Sequence, residues 1–132
     1  DSDSDTEVPP GNPNDLEYSF TVAMQPQFTP WPTRILNNVI TNKNPLCYPA
    51  YYLTDDALVT ITVYDIKGRA VVKLLDKAFR KGGQNIKEGG WNGDNKAGNK
   101  LGVGLYYVHI RAKRVSDGKV ILNSFQKVVI AK

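Results

Sequence analysis

Apolar and polar residues alternate with a period of two along most of this chain, and no segment carries a convincing helical period. Leu16, Tyr18, Phe20, Val22 and Met24 are separated by polar or small residues, which predicts a half-buried strand over 16–24. Pro26, Pro30 and Pro32 then surround Phe28 and Trp31 and rule out a helix or a central strand there. That stretch reads as an extended connector whose aromatics pack on the rest of the domain. Residues 35–40 read as a short strand, Asn42-Lys43-Asn44-Pro45 as a turn, and Ala50-Tyr51-Tyr52-Leu53 as another short strand.

The signals sharpen from residue 58. Val59, Ile61 and Val63 share one face of the run 58–64 and Thr60 and Thr62 the other, in a segment rich in the β-branched residues a pleated surface favours. Asp65-Ile66-Lys67-Gly68 is turn chemistry, because Asp accepts hydrogen bonds from the backbone ahead and Gly takes positive φ. Arg69–Leu75 returns as the second arm of a hairpin. Gly82-Gly83 turns the chain again before a short strand near Gln84–Lys87. Residues 89–104 form a long connection punctuated by glycines around Trp91. Leu105–Ala112 places Tyr106, Val108, Ile110 and Ala112 on one face and Leu105, Tyr107, His109 and Arg111 on the other. Ser116-Asp117-Gly118-Lys119 is a hairpin turn. The last strand, Val120–Ile130, loses its alternation at Phe125–Lys127, which predicts a bulge. Many short strands separated by turn signals make an all-β antiparallel sandwich or barrel.

Composition narrows the class. A hydrophobic fraction of 41% in 132 residues supports one real core without disulfides. No run approaches the ~20 apolar residues that span a bilayer, so no membrane insertion is expected. Asp1-Ser2-Asp3-Ser4-Asp5 is the reverse of a signal peptide's basic and then apolar start, so any export signal of the parent protein is removed or lies outside this chain. Residues 1–15 hold almost nothing apolar and read as an acidic, flexible leader or linker. The single cysteine, Cys47, excludes an internal disulfide and a multi-cysteine metal site.

The net charge of +4 is unevenly spread: residues 1–59 hold two basic side chains against eight acidic, and residues 60–132 hold fifteen against five. The lysines and arginines are scattered among strands and turns with no RNA-binding aromatic signature, so no nucleic-acid partner is expected and solvated strand faces account for them.

Two blocks resemble a known family. Val59-Thr60-Ile61-Thr62-Val63-Tyr64-Asp65-Ile66-Lys67-Gly68-Arg69 resembles the VTVxVYDxxGR hairpin of the immunoglobulin-like domain of the flagellar hook-capping protein FlgD. Trp91-Asn92-Gly93-Asp94-Asn95-Lys96-Ala97-Gly98, followed by Leu101, Gly104 and Tyr106, resembles the second block of that family. The resemblance covers roughly residues 48–132 and implies an immunoglobulin- or fibronectin-III-like β-sandwich. Residues 16–47 then form an N-terminal strand and proline-rich connector packing on it.

Such domains occur near the C-termini of long exported bacterial proteins as spacers, anchors or sorting modules. The resemblance therefore implies a secreted, cell-surface or periplasmic module that meets other domains of its parent or a protein partner. It also implies architectural roles. Tyr64, Asp65, Gly68 and Arg69 build the hairpin end, Trp91 caps the core, Gly93 and Gly98 permit the tight loop, and Gly104 and Tyr106 lead the next strand. No helical assembly segment is visible, which argues against a literal flagellar role.

Candidate chemistry is sparse. His109 is the only histidine and has no second ligand at metal spacing. Cys47 has no neighbouring base and reads as a small buried hydrophobe. Asn92, Asp94, Asn95 and Asn99 offer oxygens to calcium, but only one is charged and Lys96 and Lys100 repel a cation. The glycines of that loop are not followed by a helix, as a phosphate loop requires. Asp55 and Asp56 are the only adjacent acidic pair, and neighbours usually diverge. No catalytic residue, metal or cofactor is expected. The reading is a non-catalytic structural or interaction module. Its alternative is a carbohydrate-binding module, with Trp31, Tyr51, Tyr107 and Arg111 as the contacts to a glycan or partner.

Overall fold

In a computed structural model residues 29–132 are described, so the expected leader 1–15 and the strand expected at 16–24 lie outside the described residues. The strands in chain order are β1 (Arg34–Leu36), β2 (Val39–Ile40), β3 (Tyr48–Leu53), β4 (Ala57–Tyr64), β5 (Ala70–Arg80), β6 (Gln84–Lys87), β7 (Gly104–Arg114) and β8 (Val120–Ile130). They form two sheets, of order β1-β3-β6 and β2-β8-β7-β4-β5, and the described residues contain no helix. This is an all-β sandwich of the immunoglobulin or fibronectin-III kind.

The β-branched run of β4 sits between β5 and β7, where its alternation is fully used. Val59, Ile61 and Val63 pair directly with Ala112, Ile110 and Val108, and all six are buried. Each of the valines and isoleucines contributes about 1.5–3 kcal/mol on burial. From the smaller sheet, Ile35, Tyr51, Leu53 and Ile86 meet this layer. Ile40, Cys47 and Trp91 complete the same core.

The sequence reading needs four corrections. The larger sheet is not purely antiparallel, because β2 pairs with β8 in parallel. The single strand expected at 35–40 is two strands in different sheets. Asn37 sits between them at φ 55, and its side-chain amide donates to the carbonyls of Asn44 and Leu46, which holds the bend. β5 runs on to Arg80, past the expected end at Leu75, by absorbing three register shifts against β4. One of them is opposite Thr60, where Lys77 takes φ 50 and donates its N–H to the Thr60 hydroxyl.

The fourth concerns β8. It keeps its register through Phe125–Lys127, and its one irregularity lies near Ile121. The break in pattern is chemical: Ser124 and Gln126 pair with the buried Ile110 and Val108, so they face the interior side of the sheet as polar residues. Gln126 donates to the Ser124 hydroxyl at 2.7 Å, which satisfies both where they are half-buried.

Candidate interaction surface

The hairpin end at Asp65 is built around one carboxylate. Oδ1 of Asp65 accepts the backbone N–H groups of Lys67 and Arg69 at 2.9 and 3.0 Å, and Oδ2 accepts the Arg69 side chain at 3.0 Å. The backbone closes around it, Gly68 N–H donating to the Asp65 carbonyl while Gly68 takes φ 81. These bonds, led by that from the Arg69 backbone, hold the Asp65 carboxyl below its ordinary range. The turn is thereby fixed, and Ile66 at its tip is 70% exposed.

The outer face of β4, β7 and β8 carries an aromatic patch beside this turn. Tyr64 lies directly opposite Tyr107, and His109 lies opposite Phe125. The His109 and Phe125 rings stack at 4.3 Å with planes 13° apart, and Tyr64 sits 6.3 and 6.2 Å from them. Asn123 bonds the His109 ring at Nε2 and fixes its orientation. Phe125 is 60% exposed. Tyr64, Asp65, Ile66, Gly68, Tyr107 and Phe125 enclose an open cleft of about 440 Å³. Exposed Lys67, Arg69, Arg111 and Lys127 stand around the patch, Lys127 directly opposite Tyr107.

The second sequence block serves the core. Trp91 and Cys47 exchange backbone hydrogen bonds, and the Trp91 ring N–H donates to the Asp94 carbonyl at 2.8 Å. Tyr106 meets the Trp91 ring edge-on at 6.3 Å, and its hydroxyl donates to the Gly102 carbonyl. Gly93 takes φ 90 with the Ile130 side chain where a Cβ would point. Gly104 opens β7 at φ 150.

Asn95 repeats the work of Asp65. Its Oδ1 accepts the N–H of Ala97 and Asn99, its own N–H donates to Asn99, and Gly98 donates back to it at φ 83. Asn92 likewise accepts the Asp94 N–H. Two of the four oxygens considered for calcium are therefore committed to the backbone.

FlgD from P. aeruginosa superposes with a TM-score of 0.52 at 20% identity, over 72% of this chain and 74% of that one. The fold is that of a FlgD-like immunoglobulin-like domain. PorZ of Porphyromonas gingivalis, an essential bacterial surface component of the type IX secretion system, aligns at TM-score 0.48 and 15% identity. That alignment takes 76% of this chain and spans 11% of PorZ. No protein-family model and no curated protein sequence matches this chain.

On the FlgD-like fold the four contact residues expected from sequence do not come together. Tyr51 is a correction: it is 0% exposed, because β3 turns it into the sandwich opposite Ile86, so it touches no glycan or partner. Its hydroxyl donates to Glu88, and burial first, then that bond, pushes its pKa well above the ordinary tyrosine range. Trp31 is half-buried beside β6, its N–H donating to Asn85 at 2.7 Å and its ring under Arg34. Tyr107 and Arg111 stand on the outer face of the other sheet. Phe125, His109, Tyr64 and Ile66 were not singled out as contacts from sequence. The signal was present in part: His109 was assigned to that outer face, but nothing in one strand's pattern says which residue of the next lies opposite.

Proposed function

We propose that this chain is a non-catalytic interaction module of a larger exported or envelope-associated bacterial protein. It docks an acidic protein surface through the aromatic patch on β4, β7 and β8. The observation that carries the reading is Phe125, a large ring left 60% exposed and held by stacking on His109 beside the rigidly displayed Ile66. A sheet face open to water gains only about 0.2–1 kcal/mol from such a cross-strand ring pair, whereas a partner that covers the rings gains their burial as well. The basic rim selects for acidic groups and steers their approach. The fold likeness to FlgD supports the architectural half of the reading.

A benzophenone side chain installed at Phe125 of the parent protein, in the cell that makes it, tests the proposal. A protein adduct that Ile66→Asp abolishes supports it. Equal adduct yield from a benzophenone at Lys113, or no protein adduct from Phe125, defeats it.

The cleft that Tyr64, Tyr107 and Phe125 line favours a second reading, in which sugar rings stack there. Retention on peptidoglycan, chitin or plant glycans that Tyr107→Ala abolishes, with no protein adduct, selects the glycan.

A further inference from the structure

β4 forms the floor of a trough on the outer face of the larger sheet. Its outward residues Leu58, Thr60 and Thr62 are flanked by longer side chains on both sides. Lys73 of β5 lies opposite Thr62, and Arg111 and Lys113 of β7 lie opposite Thr60 and Leu58. Lys77 joins the β5 wall where its N–H meets the Thr60 hydroxyl. Two open clefts, of about 410 and 280 Å³, share Thr60, Lys77 and Arg111, so the trough is continuous from Tyr64 to Leu58. That is about 20 Å of strand, and the two walls stand about 10 Å apart, two strand spacings. One extended chain fits between them.

The walls carry uncompensated charge. The other arginines are engaged: Arg69 by Asp65, Arg80 by Glu88 and Arg114 by Asp117, while Arg34 covers the Trp31 ring. Among the described residues Arg111 has no such partner, nor do the side chains of Lys77 and Lys113, and all three are exposed. The acid lining the trough is Asp76, 3.7 Å from Lys73. Cations side by side on one sheet face repel, and an anion laid between them removes that cost. The floor adds hydroxyls: Thr62 is 6% exposed, and its hydroxyl takes no hydrogen bond among the described residues.

The class of anion follows from what the floor lacks. β4 is paired along its length by β5 and β7, so a peptide laid on it finds no backbone edge to bond its own amides. Nucleic-acid bases stack on successive rings, whereas the rings here, His109 and Phe79, stand apart, opposite Thr62 and Leu58. A sugar chain needs neither, because its hydroxyls and acidic groups meet side chains directly.

We propose that this trough binds a linear acidic polysaccharide along β4, with Lys77 and Arg111 meeting its acidic groups across the floor of Thr60 and Thr62. The site is independent of the protein docking proposed above, since Phe125 and Ile66 take no part in it. Binding of the full chain to immobilised polygalacturonate, heparin and neutral dextran at about 0.15 M salt tests it. The chain is held by polygalacturonate or heparin and not by dextran. Lys77→Gln with Arg111→Gln weakens that binding about tenfold or more. Lys43→Gln with Lys100→Gln, the same loss of charge at exposed positions on other loops, changes it less than about twofold. No binding to either acidic polysaccharide overturns the proposal, as does equal weakening by the two pairs. Polyglutamate or single-stranded DNA held as tightly as the polysaccharide also overturns it, because charge alone then explains the binding.

Discussion

Arg80 closes on the Glu88 carboxylate through two bonds, Nε to Oε2 at 2.8 Å and Nη2 to Oε1 at 2.9 Å, and so ties β5 to the segment beyond β6. Tyr51 completes the group from β3. Burial pushes the Glu88 carboxyl up, but the bonds from Arg80 and Tyr51 outweigh it and leave the group below its ordinary range. Removing Arg80 leaves a carboxylate that is largely out of water without its counter-charge. Arg80→Met costs about 1–3 kcal/mol in urea unfolding at neutral pH, the lower part reflecting how exposed the arginine is. A variant within experimental error of the parent refutes the tie.

The same group sets two pH limits. The folded state favours ionised Glu88, so its contribution is present above the ordinary carboxylate range and is lost as pH falls through and below that range. Tyr51 is the reverse case: its folded pKa is raised, so the unfolded chain loses the proton first and stability falls once pH rises past the ordinary tyrosine value of 10.0. Tyr51→Phe therefore flattens the alkaline limb of the stability–pH curve while costing about 1–2 kcal/mol at neutral pH. An unaltered alkaline limb contradicts this.

Two glycines differ in why they are glycine. Gly68 has φ 81 and open space where a Cβ would go, so Gly68→Ala costs only the backbone strain, about 1–2 kcal/mol. At Gly82 a Cβ would lie 2.2 Å from the Asp55 backbone carbon, and backbone cannot step aside as a side-chain tip can. Gly82→Ala therefore costs more than Gly68→Ala, by at least about 1 kcal/mol. Chemical denaturation of the two variants side by side gives the order.

Phe125→Ser costs no more than about 1 kcal/mol, the worth of its cross-strand ring contacts, whereas Ile110→Ala, in the fully buried layer beneath, costs about 2–5 kcal/mol. A Phe125→Ser variant as damaged as Ile110→Ala shows that the ring is structural and withdraws it from the docking surface.

Burial, opposed only weakly by the bonds with the Trp91 backbone, pushes the Cys47 thiol up to about 11. At pH 8 the native protein therefore resists Ellman's reagent and titrates one thiol when denatured. Rapid native labelling refutes the burial of Cys47.

The hairpin and the Trp91 block were legible because their residues are bound to local backbone geometry: Asp65 and Gly68 make the same turn in any sandwich. Tyr51 was misread because Tyr51-Tyr52 puts adjacent rings on opposite faces, and six residues of strand do not say which face is inside. The length of β5 was hidden by Asp76-Lys77, polar residues that resemble a strand's end and here form a bulge. The aromatic patch was least visible. It exists only through the cross-strand neighbours Tyr64–Tyr107 and His109–Phe125, and register between distant strands is set by tertiary packing.

The twin turns at Asp65 and Asn95 separate shape from identity. In each, one side-chain oxygen and one left-handed glycine fix the loop, while the residue that follows the organising side chain, Ile66 or Lys96, leaves its side chain exposed, Lys96 adding only its backbone N–H to the Val71 carbonyl. Such a position works as a socket. A library confined to residue 66 will vary one exposed side chain at a time while every member melts at nearly the same temperature.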